Sequence, residues 1–145
     1  MDDIKGGCLC GAVRYTSNAK PLVVRACWCR VCQYLGAGNA TINLAFPTGA
    51  VTITGALKDY PSSADSGNHM HRRFCPKCGV HLFSHSDERP SFLVVRAGTL
   101  DDPSAAVPQA NIWTRSAPAW AQLDPNLPKF EGQPPPPAPK PLVGG

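Results

Sequence analysis

Seven cysteines in 145 residues, gathered into short-spaced groups, constrain this chain more than any other feature of its sequence. Three stand within six residues, Cys27-Trp28-Cys29-Arg30-Val31-Cys32. Side chains alternate in an extended segment, so Cys27 and Cys29 point to one side. The spacer Arg30-Val31 then lets a tight turn bring Cys32 back toward them. Three thiolates converging on one point form three corners of the tetrahedron zinc prefers, and no Asp or Glu lies between Ala26 and Asn43 to close it. Three protein ligands with one open position make the arrangement of catalytic zinc, whereas closed four-ligand sites are structural. The other four cysteines form two chelating pairs, Cys8-Leu9-Cys10 and the knuckle Cys75-Pro76-Lys77-Cys78-Gly79. In such a knuckle Pro76 presets the turn, and Gly79 takes the positive φ that aims backbone N–H groups at sulfur. The seven thus divide into a closed four-thiolate site that clips distant segments together and an open three-thiolate site.

The length is that of one domain with room for a real core. Thirteen glycines and 16 prolines, with no long periodic helical stretch, predict a turn-rich β protein. No basic start followed by an apolar run opens the chain, and no apolar run approaches membrane-spanning length. An odd cysteine count in that context predicts a reducing, cytoplasmic setting, where such spacings mean metal rather than a disulfide framework. The formal charge is +4. Seven thiolates would remove seven charges and two zinc ions restore four, leaving a balance that demands no polyanion. A basic run with interleaved aromatics is also missing, which argues against nucleic acid.

Along the chain, residues 6–16 read as one strand, with Leu9, Val13 and Tyr15 on one side and Cys8 and Cys10 on the other. Residues 21–26 form a second strand leading into the three-thiol cluster, and 33–38 a short helical turn. Residues 40–46 alternate cleanly as a strand. Further strands are expected at 51–54, 57–60, 69–74, 80–84, 92–97 and 111–114. Half of the prolines fall between Pro125 and Pro141, which favours an extended, solvated tail. The expected organisation is a zinc-binding domain over residues 1–132 and a Pro-rich flexible tail over 133–145.

The segments Gly6-Gly7-Cys8-Leu9-Cys10-Gly11-Ala12-Val13-Arg14-Tyr15, the C-x-C-x-x-C cluster and Phe74-Cys75-Pro76-Lys77-Cys78-Gly79 resemble the glutathione-dependent formaldehyde-activating enzyme family. So do Gly98-Thr99-Leu100-Asp101 and the closing Ile112-Trp113, Ala117-Pro118-Ala119-Trp120 and Leu127-Pro128-Lys129-Phe130-Glu131. The resemblance implies a mainly-β, Mss4-like tent of packed antiparallel sheets with little helix. It implies a structural zinc on Cys8, Cys10, Cys75 and Cys78 and a catalytic zinc on Cys27, Cys29 and Cys32. It further implies a carbon–sulfur lyase handling adducts of a small thiol such as glutathione and an aldehyde such as formaldehyde. Two departures stand at the expected substrate mouth. Trp28 and Arg30 occupy positions where the family often has His and Ser, and Gln33-Tyr34-Leu35 follows where a basic residue is common.

Three thiolates leave zinc with a net charge of −1, a poor Lewis acid for water but a fit holder of an incoming thiol as thiolate. The competing reading is a non-catalytic zinc module that binds a small thiol or a protein partner, its second metal closed by His69 or His71. His69, His71, His81 and His85 read otherwise as surface or hydrogen-bonded residues. Arg72, Arg73, Arg96 and Arg115 are candidates to pair with the carboxylates of an acidic thiol. Trp113 and Trp120 are expected in the core.

Overall fold

The computed structural model describes residues 3–137. Ten strands form two sheets. The smaller has the order β1 (Ile4–Gly7), β2 (Arg14–Ser17), β5 (Val51–Thr54), all antiparallel. The larger runs β10 (Ala110–Ile112), β3 (Val23–Cys27), β4 (Thr41–Pro47), β9 (Arg89–Arg96), β8 (His81–Ser86), β7 (His69–Phe74), β6 (Lys58–Ser63). The expected antiparallel pairing holds throughout except at β10, which lies parallel to β3. After β9 the chain crosses the domain before returning beside β3, and Gln109 secures the approach through two hydrogen bonds with the Val24 backbone. One α-helix, α1 (Arg30–Leu35), and four 3-10 turns complete the described residues. No helix among them is long and apolar enough to cross a membrane.

The first segment departs from the sequence expectation. Residues 6–16 are a hairpin rather than one strand, because the amide of Gly11 bonds back to the Cys8 carbonyl and the Cys8 amide to the Val13 carbonyl. Gly11 supplies the φ of +81° that this turn needs. Leu9 therefore points into solvent, 87% exposed, instead of joining Val13 and Tyr15 inside.

Period-two alternation gives the large sheet two different faces. Leu44 and Phe46 of β4 pair with Val95 and Leu93 of β9 and face the small sheet, where Tyr15 and Phe83 meet edge to face at 5.2 Å. The intervening residues, Arg25 of β3, Asn43 of β4 and Arg96 of β9, share one register row on the opposite face. That face is the floor of a cavity of about 180 Å³. A register shift between Ser84 and Ser86 lets Ser84, His85 and Ser86 all line it, since a bulge turns a strand's side chains off strict alternation.

The C-terminal segment is stitched on by backbone bonds from Asn111 to Pro128 and from Phe130 to Asn111. The chain expected to be a free tail starts by lying against the domain. Pro134 is buried, the Pro135 carbonyl accepts from Arg25, and the Gln133 side chain accepts from the Trp113 indole at 3.0 Å. The rest of that tail, residues 138–145, lies outside the described residues. Trp120, expected in the core, is 66% exposed.

Candidate metal centre and cavity

The β1–β2 turn brings Cys8 and Cys10 to the knuckle between β7 and β8. Cys10 Sγ lies 3.6 Å from Cys8 Sγ and 3.8 Å from Cys75 Sγ, and all four sulfurs, Cys78 included, lie within 4.8 Å of one another. A tetrahedral zinc with bonds of about 2.3 Å needs sulfurs about 3.8 Å apart, so this group fits such an ion. The surroundings are built for thiolate. The Val13 amide points at Cys8 Sγ, and the amides of Lys77 and Cys78 point at Cys75 Sγ. Gly79, at φ +76°, closes the knuckle by donating to the Cys75 carbonyl. Four thiols this close cannot all ionise without a cation. Burial acts against the Cys8 thiolate, but the Val13 amide and its three neighbours outweigh it and bring the thiol down to about 6. Cys10 is pushed up to about 11: the Ala12 amide favours its thiolate, and burial with the other three thiols outweighs that help.

The second group is assembled from three elements in succession. Cys27 ends β3, Cys29 caps α1 by accepting from the Cys32 amide at 3.3 Å, and Cys32 sits in the first turn of the helix. The three sulfurs can bind one ion, all three residues are buried, and no fourth donor joins them among the described residues. Gln33 fixes the helix in place by donating to the carbonyls of Trp28 and Ser116. Cys32 is held well below the ordinary thiol range, first by the Cys27 and Cys29 thiols and then by the Arg96 charge, against the effect of burial. Cys27 is driven up by Cys29, Cys32 and burial. Such a set carries one negative charge alone and three only around a cation, the behaviour of a metal-binding donor set.

All three cysteines line the cavity. Arg25, Arg72, Arg89 and Arg96 line it too, with Asn43, Ser84 and His85. Of the arginines expected to meet a ligand, Arg72 and Arg96 are present, while Arg73 and Arg115 are not among the lining residues. Sequence reasoning missed Arg25 and Arg89. The signal for Arg25 was available, because it precedes Cys27 by two and so shares its side of β3. Trp28, Arg30, Gln33 and Tyr34, expected at the substrate mouth, do not line the cavity. Trp28 is buried and its indole donates to Asn111, while Arg30 bonds Gln33 and lies over Tyr34, which is 79% exposed. The turn into α1 directs those side chains behind the cysteines.

The histidines lie apart from the three-cysteine group. His69 bonds Glu88, and His71 is held between Asp59 at 2.6 Å and Asp87 at 2.9 Å while stacking on His85. His71, His85 and Asp87 offer donors near one another, yet both His71 ring nitrogens already face carboxylates, which makes the group an ion-pair cluster. Neither His69 nor His71 closes the three-cysteine shell.

Residues 3–116 match the family model described as glutathione-dependent formaldehyde-activating enzyme. No curated protein matches the chain. Among solved structures, a crystal structure of a Rhodobacter sphaeroides protein superposes with a TM-score of 0.53 at 24% identity, covering 67% of this chain and 87% of that one. At that identity the likeness speaks to the fold alone.

Proposed function

The chain belongs to the glutathione-dependent formaldehyde-activating enzyme family, and from that premise we propose that it is a zinc-dependent carbon–sulfur lyase acting on adducts of a small thiol and an aldehyde. In this reading Cys8, Cys10, Cys75 and Cys78 hold a structural zinc. Cys27, Cys29 and Cys32 hold the second, with its open corner toward the cavity. The observation that carries the proposal is that three buried cysteines, with no fourth donor beside them among the described residues, line a cavity on one face of the large sheet.

A metal bound there supplies chemistry no side chain in the cavity offers, since coordination keeps a substrate thiol deprotonated near neutral pH although a free thiol has a pKa of about 8.5. The protein's own groups then orient and enclose. In the synthetic direction the sulfur lone pair forms the S–C bond, the carbonyl π pair moves to oxygen, and the proton given up by the thiol ends on that oxygen. The lyase direction reverses each step. Asn43 and Ser84 line the cavity as neutral hydrogen-bonding groups for the aldehyde oxygen. Formaldehyde and thiols combine unaided, so holding the pair together is the main contribution asked of the site. The described start of the C-terminal segment supplies part of the wall through Gln133, Pro136 and Pro137. This assignment places the protein in a reducing cytoplasm, where thiols and a small-thiol pool persist.

Cobalt substitution tests the open corner, because thiolate-to-cobalt absorption counts coordinated sulfurs. Saturating glutathione should raise that absorption by about one thiolate per chain, toward four-sulfur coordination, and leave Cys32→Ser unchanged. An unaltered spectrum in wild-type protein with both sites loaded would refute the enzyme reading. It would favour a binding module with two structural metals instead.

A further inference from the structure

The attachment of the C-terminal segment changes character at Gly132. Up to that residue it is held by backbone bonds. The Thr114 and Arg115 amides donate to the carbonyls of Phe130 and Glu131, and the Trp113 amide to that of Gly132. Beyond it stand Gln133 and four consecutive prolines at 134–137. Proline has no N–H, so this stretch is held by donors that the domain presents to its acceptors. Two such bonds exist among the described residues. The Trp113 indole donates to Gln133 Oε1 at 3.0 Å, and a terminal nitrogen of Arg25 donates to the Pro135 carbonyl at 3.3 Å. Exposed side-chain bonds of this kind open at low free energy, whereas the prolines stiffen the stretch so that it moves as one piece. A stiff segment on two weak bonds, leaving a backbone-bonded anchor at a glycine, is a hinged strap.

The strap lies at the cysteine end of the cavity. Gln133, Pro136 and Pro137 line the space together with Cys27, Cys29 and Cys32, and the Trp113 ring packs against the three-cysteine group. Trp113 has a left-handed backbone, with φ 58° and ψ 36°, which a bulky residue adopts only where its surroundings impose it. Here its amide is tied to Gly132, its carbonyl accepts from the Ser116 amide, and the Arg115 guanidinium lies 5.6 Å from the ring centroid. The donor of the latch therefore belongs to the fixed side of the hinge. The family match covers residues 3–116, and the strap lies beyond it.

We propose that residues 133–137 are a latched strap that closes the cavity over the three-cysteine group and restricts it to small ligands, with Trp113 as the positioning residue that holds the latch. For the reaction proposed above, and resting on that reading in this clause alone, the strap sets the largest aldehyde whose thiol adduct the site accepts. A one-carbon aldehyde adds little volume to a bound thiol, whereas an aromatic one must displace the prolines.

Two maleimides of different bulk, N-ethylmaleimide and fluorescein maleimide, test the strap on the full-length, zinc-loaded protein. Peptide mapping gives the rate at each cysteine. The ratio of the bulky to the small reagent cancels intrinsic thiol reactivity and protection by metal. In wild type that ratio should be lower at Cys27, Cys29 and Cys32 than at Cys10, which is exposed and belongs to the other group. Gln133→Ala should raise it about fivefold at those three positions, the population change that follows from losing one ordinary hydrogen bond, and leave Cys10 unchanged. Trp113→Phe keeps a ring against the cysteines but has no N–H. It should match Gln133→Ala, and the double variant should go no further. Pro134→Lys, a charge at a buried position next to the Arg25 contact, should raise the ratio more. Gln133 is exposed, so its variant stays informative if Pro134→Lys misfolds. Ratios that stay at the wild-type value in folded Gln133→Ala and Trp113→Phe proteins, or additive effects of the two, overturn the proposal. Turnover of benzaldehyde adducts relative to formaldehyde adducts should rise in Gln133→Ala by the same factor. No turnover of any adduct by wild type, with the maleimide ratios as expected, refutes the lyase reading and leaves the strap standing. Turnover with unaltered ratios does the reverse.

Discussion

Tyr15→Phe isolates a single buried hydrogen bond that links the small sheet to the cavity floor. Tyr15 is 2% exposed, and its hydroxyl lies 2.7 Å from Thr99 Oγ1. Thr99 Oγ1 donates its one proton to the carbonyl of Arg96 at 2.7 Å. The tyrosine must therefore be the donor and the threonine the acceptor. Removing the hydroxyl leaves a buried acceptor lone pair unmatched, which costs about 1.5 kcal/mol. For a domain of this size that is a fall of roughly 5 °C in melting temperature. The ring keeps its edge-on contact with Phe83, so no large packing loss adds to the figure. Thr99→Val alone should cost more, since it strips the Arg96 carbonyl of its donor as well as the tyrosine of its acceptor. Urea melts of the two single variants and the double variant, all metal-loaded, close the cycle, with a coupling of about 1 kcal/mol expected. A Tyr15→Phe protein as stable as wild type, or strictly additive costs, would show that this chain of bonds contributes nothing to stability.

Two further outcomes follow from the geometry. Cys78→Ser opens the four-sulfur group, and a structural zinc contributes roughly 10 kcal/mol or more to folding, comparable to the whole stability of a domain. Insoluble or molten protein with less bound metal is expected, and native melting with full metal content would refute the structural role. His71 is raised above the ordinary histidine value of 6.5, chiefly by Asp59 and then by Asp87. A raised group stabilises the fold fully below its unfolded pKa and loses that contribution as pH rises through its folded one. Stability should therefore fall as pH climbs above 6.5, and His71→Gln should flatten that slope in urea midpoints taken across the range. An unchanged slope would remove His71 from the account.

Much of this architecture is legible in the residues because local rules and tertiary packing agree. The clean alternation near Thr41 to Phe46 puts Leu44 and Phe46 inside, and the knuckle spacing brings Cys75 and Cys78 together as four-sulfur chelation needs. The first hairpin misreads as one strand because Cys8-Leu9-Cys10 alternates like a strand, while Gly11 and the Val13 carbonyl decide for a turn. The mouth of the cavity is misplaced for a different reason. Sequence adjacency to a metal ligand does not say on which side of a helix start a residue emerges, and Trp28 emerges toward Asn111. Arg89 could not be read locally at all, since its place in the wall depends on β9 lying between β4 and β8. The buried Pro134 likewise owes its position to a neighbouring tryptophan and arginine far away in sequence.

The juxtaposition of Cys10 with Cys75 also imposes an order in time. The two residues are 65 apart along the chain, and a ribosome adding about 5 to 20 residues per second separates their emergence by roughly 3 to 13 s. The strands of the small sheet are complete by Thr54, so the first two thiols wait as an exposed half-site while the rest is made. Closing a loop of that length costs about 4 kcal/mol of chain entropy, a cost that the proposed structural zinc would have to offset when the knuckle arrives. Metal supplied during synthesis meets thiols that are still reduced, whereas metal added to a purified apoprotein meets thiols that have had hours to oxidise. With the structural zinc proposed above, the yield of folded protein should rise with the zinc that the growth medium offers the nascent chain.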